Sequence, residues 1–218
     1  MIVLPLPPVS LPRPLFGLLS AGIALAVLTA AAPAAQAEPL PTPRVDFAVK
    51  AKLQDGATMD LAHSGAKLRV RVNAPQLPAP VVALVDVPKG KMIALTPNMP
   101  KMAVETDLPD RYRVAVLSGD GTPMGMSEVA GEPCEIWKIN KAQGFNAPAV
   151  ACITPDGIPL RTEVESKGKT VVAYEATSLS RAPQDPSLFR LPAGTSAVKL
   201  PSDAKGLMEG LNKLGIGR

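Results

Sequence analysis

The chain has 218 residues, 46% of them hydrophobic but only 3% aromatic, with 23 basic residues, 19 acidic residues, one histidine and two cysteines. A net charge of +4, interspersed without a basic run and with so few aromatic side chains, leaves no footprint for nucleic acid. One histidine and two cysteines are also too few ligands for a zinc centre.

In chain order, the first element is the apolar run LFGLLSAGIALAVLTA at 15–30, preceded by Arg13 and followed by AAPAAQA, which ends in the small residues Ala35 and Ala37. This pattern predicts a secretory signal peptide over 1–37, because the run is short of the roughly 20 apolar residues of a spanning helix. No cysteine stands at the cleavage point to carry an acyl group. The expected mature protein is periplasmic, has no membrane anchor after cleavage, and keeps 22 basic and 19 acidic residues for a charge of +3.

After a linker at 38–43, residues 44–200 read as one β-rich domain. RVDFAVKAKL alternates Val45, Phe47, Val49, Ala51 and Leu53, and KLRVRVN alternates Leu68, Val70 and Val72 against Lys67, Arg69 and Arg71. Period two with one apolar face is the mark of half-buried antiparallel strands. Asp55-Gly56, Ser64-Gly65, Lys89-Gly90, Pro155-Asp156-Gly157 and Lys167-Gly168 punctuate the chain as hairpin turns. Pairing about Lys89-Gly90 sets Leu84 opposite Leu95, with Val82, Leu84, Ile93 and Leu95 on one face. Residues 106–127 fit a short helix or a strand equally well. Further strands are expected at 158–166 and 170–179, giving a meander of about ten, more than an open twisted sheet holds without curling.

Both cysteines lie in CEIWKINKAQGFNAPAVAC, Cys134 to Cys152. If 134–140 and 148–154 form a hairpin turning about Gln143-Gly144, the two cysteines face each other across the ladder, where a disulfide fits. In an oxidising compartment a structural staple is the primary reading, and a metal-binding or catalytic thiol pair the lesser one. On the same alternation, Trp137 faces away from Cys134 and Ile136. Beyond the domain, SDAKGLMEGLNKL places Leu207, Leu211 and Leu214 on one stripe, an amphipathic helix or tail over 201–218 weakened by Gly206 and Gly210.

The runs GMSEVAGEPCEIWKI, VACITPDGIPLRTEV and SLFRLPAG resemble an uncharacterised family of secreted bacterial proteins. That family carries a V-A-G-x-x-C strand, a C-x-T-x-D-G-I turn and a closing F-x-L-P-x-G, and the likeness covers most of 44–195. More distantly the chain is similar to the LolA and LolB lipoprotein carriers. That resemblance implies an incomplete antiparallel β-barrel with one or a few short helices, whose concave apolar face accepts acyl chains. The chain departs from the pattern in lacking the acylated N-terminal cysteine of LolB and a substrate-gripping arginine matching LolA.

From these features the expected function is non-catalytic binding, without cofactor, of an apolar envelope ligand such as a lipid or a lipoprotein acyl chain. The inner wall is expected to comprise Phe47, Val49, Leu68, Val70, Leu84, Ile93, Leu95, Met102 and Trp137. The alternatives are an interaction scaffold for another envelope protein and, more weakly, a Cu(I) site built from Met99, Met102, Met124 and Met126 with His63, since soft cations select thioethers. His63 itself, in AHSGA, reads as a solvated turn residue. There is no G-x-S-x-G elbow, and Glu163, Glu165 and Arg161 share the outward face of one strand, so no enzymatic activity is expected.

Overall fold

A computed structural model describes residues 37–95, 101–108, 117–140, 148–166 and 168–199. The strands are β1 (Glu38–Pro39), β2 (Phe47–Leu53), β3 (Thr58–Ser64), β4 (Lys67–Asn73), β5 (Val81–Asp86), β6 (Lys91–Leu95), β7 (Met102–Asp107), β8 (Asp120–Val129), β9 (Glu132–Ile139), β10 (Ala149–Ile153), β11 (Pro159–Ser166), β12 (Lys169–Ser180) and β13 (Ser196–Lys199). All thirteen belong to one sheet in the order β1-β8-β9-β10-β11-β12-β2-β3-β4-β5-β6-β7-β13. Every pairing is antiparallel except that of β13 with β7.

Two consecutive meanders, β2–β7 and β8–β12, are therefore stitched together where β12 pairs with β2. This replaces the expected single meander of about ten strands. The end strands β1 and β13 are not hydrogen-bonded to each other, so the sheet is open. Among the described residues helix is limited to two single 3-10 turns, Gln54–Gly56 and Pro186–Phe189. The expected signal peptide over 1–37, apart from Ala37, the expected Gln143-Gly144 turn and the expected C-terminal helix or tail over 201–218 lie outside the described residues. Within 106–127, residues 120–127 belong to β8 and 109–116 are not described.

The expected disulfide is present, with Cys134 and Cys152 bonded and their Cα atoms 5.4 Å apart. Its register differs by two residues from the expected one, since Cys152 stands opposite Ile136 and Cys134 lies on the neighbouring diagonal. A two-residue shift preserves the face of every side chain, so the bridge survives the correction. The β5–β6 hairpin shows the same kind of slip: Leu84 pairs with Ile93 and Val82 with Leu95, and the four still share a face.

Two local features fix the ends of the sheet. Ala130 and Gly131, at φ 56° and 77°, join β8 to β9 in a two-residue turn of the I′ kind, whose twist matches the strands it connects. At the β10–β11 turn the backbone of Thr42 lies so close to Gly157 (φ +86°) that a Cβ would meet its carbonyl at 2.1 Å. Arg44 N donates to Asp156 O there, and Leu40 is buried, so residues 38–43, expected as a linker, run along the sheet. Asp156 also accepts from Thr154 Oγ1 at 2.5 Å and from Arg181 Nε at 2.7 Å, while Arg181 reaches Glu132 at 2.8 Å. The Arg181 guanidinium beside it, together with the Thr154 hydrogen bond, holds the Asp156 carboxyl below the usual carboxylate range.

The core divides in two. The larger cluster joins Phe47, Val49, Leu61, Leu68 and Val85 to Tyr174, Leu160 and the disulfide. A second groups Leu40, Leu117, Trp137, Ile139, Ala149, Ala151 and Ile153. β9 and β10 thus bury both faces, with Trp137 turned away from Cys134 as the alternation predicts.

Candidate functional site

Ladder registers sort the side chains of β2–β7 onto two faces without ambiguity. Phe47, Val49 and Ala51 share theirs with Met59, Leu61 and His63 of β3, and with Leu68, Val70 and Val72 of β4. The same face continues through Val81, Ala83 and Val85, then Met92 and Ala94, to Val104 and Met102. Val198 of β13 lies beside Val104. Among the described residues of this face the one titratable side chain is His63.

Burial is uneven across this surface. Val49 and Leu61 are 2% and 3% exposed, whereas Val70, Ala83, Ala94 and Val104 are half-buried. At the margin Met102 and Val198 reach 46% and 47%. Leu68, Val85 and Met92 are buried on the same face at 3%, 6% and 9%, so the core reaches across to β6, and the directly paired row Val70, Ala83, Ala94 and Val104 forms a partly open aliphatic strip beside it, suited to dispersion and dehydration.

The opposite face carries Lys50, Asp60, Arg69 and Arg71 beside the apolar strip Leu84, Ile93, Val82 and Leu95. Residues 181–195 pass from β12 to β13 across it. Phe189 and Leu191 lie over Leu84 and Ile93, leaving a cleft of about 240 Å³ rimmed by Lys67, Lys89 and Lys91. The Asp46 carboxylate anchors this strap, accepting from Gln184 N at 3.4 Å as well as from Ser64 Oγ at 2.9 Å and Gly65 N at 3.4 Å. The Ser64 hydrogen bond is the first reason its pKa lies below the ordinary value.

Of the nine expected wall residues, the structure gathers Phe47, Val49, Leu68 and Val70 on one face, with Met102 at its edge. Leu84, Ile93 and Leu95 belong to the other face, and Trp137 to the second core cluster. The reason is that VVALVD is apolar at both parities, so period two cannot choose its inner side. The pairing of Leu68 with Val85 does. Leu61, Met59, Val85, Met92 and Val104 were missed, although the alternation in TMDLAH already carries the first two.

His63 departs from its expected role as a solvated turn residue. It is buried on β3, stacked on Phe47 with ring centroids 4.8 Å apart, and its Nδ1 lies 3.0 Å from Val45 O. That contact is a hydrogen bond donated by Nδ1–H in the neutral tautomer. Burial pushes its pKa below the ordinary value, with the Val45 hydrogen bond and the Asp46 charge opposing. Met102 on β7 and the pair Met124 and Met126 on β8 lie far apart in the strand order, and Met99 falls outside the described residues. Among the described residues no group of three His, Cys, Asp or Glu side chains is placed to hold a metal ion.

Fold and face define a mainly β protein built on one open, mostly antiparallel sheet with a partly exposed aliphatic row. No family model matches the sequence, and no curated protein does. Among solved structures, an uncharacterized conserved protein from Thermus thermophilus superposes with a TM-score of 0.51 at 14% identity, over 72% of this chain and 91% of that one. MucB aligns at 0.45 and 15% identity over 69% of this chain and 58% of its own, and the Pseudomonas aeruginosa MucA/MucB complex at 0.44 and 14% over 72% and 59%. The chain spans less than two thirds of the MucB chains it matches.

Proposed function

We propose that the chain is an exported, non-catalytic binding protein that takes an acyl chain or similar apolar group of an envelope lipid against the Phe47 face. The observation that carries this reading is the half-buried aliphatic row Val70, Ala83, Ala94 and Val104, ending near exposed Met102, since half-covered aliphatic area gains about 25 cal/mol for each Å2 removed from water. A curled, half-barrel sheet is part of the same reading. β8 and β12 are four places apart in the order, which a flat sheet would separate by about 19 Å, yet their Cα atoms come within 8 Å. The Arg181–Glu132 ion pair ties the same two regions. The disulfide and the apolar run at 15–30 support export.

The test titrates the mature protein with a fluorescent fatty acid. Saturable binding is expected, weakened about tenfold by Val70→Arg or Val104→Arg, the worth of one buried aliphatic contact. No binding, or binding that ignores both substitutions, overturns the reading. Trp137 is an unsuitable reporter, because it sits in the other cluster.

A further inference from the structure

The second open feature of the sheet is the outer edge of β8. β1 pairs with it only at Asp120 and Gly121, and among the described residues no other strand occupies that edge beyond them. A bulge between Pro123 and Gly125 breaks the ladder there. Beyond it residues 125–129 resume regular pairing with β9 up to the Ala130-Gly131 turn. Because Val129 and Glu132 flank a two-residue turn they form a hydrogen-bonded pair, and alternation then turns the N–H and C=O of Met126 and Glu128 outward.

The side chains at this edge are unusual for an unused one. Met124 and Met126 are the most exposed large apolar residues described, at 61% and 67%. Met126 stands directly opposite Glu135 and shares its face with Glu128, two residues along the strand. Glu128 and Glu135 have no ion-pair partner among the described residues, whereas nearby Glu132 is taken by Arg181. Edges that proteins protect carry charged side chains, lysine above all, proline or a bulge; here proline and the bulge guard only the first part, and Glu128 is the one charge in the second.

We propose that the β8 edge is a docking strand for an extended peptide of a partner protein, one that alternates basic with aliphatic residues. Such a segment adds to the sheet through the outward backbone of Met126 and Glu128, lays an aliphatic side chain on Met126, and pairs its cations with Glu128 and Glu135. The site shares no residue with the Phe47 face.

Fluorescence anisotropy of the mature protein with a short labelled peptide of alternating lysine and valine tests the proposal. Saturable binding is expected, weakened about tenfold by Glu128→Lys combined with Glu135→Lys and abolished by N-methylation of alternate peptide amides. The same charge reversal should create binding to a glutamate–valine peptide, and Val104→Arg should change nothing. Absence of binding, or binding indifferent to charge reversal or to N-methylation, overturns it. Sedimentation provides the other decisive outcome: a dimer dispersed by Met126→Lys would assign the edge to a second copy of this chain instead.

Discussion

His63 shows how much one side chain can be changed by its neighbours. A histidine on an alternating strand next to a Ser-Gly turn looks solvated in sequence, yet its parity puts it on the Phe47 face, where burial against that ring favours the neutral form over the opposing pull of the Val45 carbonyl. Its folded pKa is depressed, so stability is complete above the unfolded value of about 6.5 and is lost as pH falls below it towards the folded pKa, since the unfolded chain takes up the proton first. Asp46, whose pKa is lowered by Ser64, loses its own contribution only in the more acidic carboxylate range, so the two windows separate. Melting temperatures between pH 7.5 and 5.5 should therefore fall in the native protein and stay nearly level in His63→Asn, which keeps a donor for Val45. Equal slopes in the two proteins would exclude His63 as the titrating group.

At the level of strands and turns, the sequence exposes what is local and hides what is long-range. Alternation locates β2, β4, β9, β11 and β12 to within a residue or two, and the disulfide follows from parity alone, because a register error of two leaves both cysteines on one side. The joining of β12 to β2 has no local signal, and neither has the strap that carries the chain across Leu84 and Ile93 to β13. Three of the nine expected wall residues, Leu84, Ile93 and Leu95, fall on the other face for the same reason, since VVALVD reveals its inner side only through its partner strand. The strap should be held chiefly by Phe189, with the Asp185 carboxylate capping the 3-10 turn through Ser187 N. Phe189→Ala should cost about 1 to 2 kcal/mol, less than in a sealed core because the ring is half-exposed. Hydrogen exchange should quicken in β13 while the β9–β10 amides keep their protection; uniform quickening across the sheet would mean that the strap is no separate unit.

For the molecule as a whole, the disulfide sits where the sheet depends on it most. β9 and β10 lie between the β8 edge and the β11–β12 pair that carries the seam to β2, and they contribute to both core clusters. Closing a loop with a sequence separation of 18 stabilises by about 3 kcal/mol when the bridge acts mainly on the unfolded chain. For a domain of this size that corresponds to about 6 to 12 °C in melting temperature. The paired substitution Cys134→Ala with Cys152→Ala should show this loss, most of it as faster unfolding if the hairpin closes after the folding barrier. Two further consequences distinguish a staple from a redox centre. Both sulfurs are buried, so dithiothreitol should reduce the native bond far more slowly than that of the urea-unfolded chain. Peptide binding at the β8 edge should survive the double substitution at temperatures where the fold persists. Rapid reduction in the native state, or an undiminished melting temperature without the bridge, would show that the sheet holds β9 against β10 unaided.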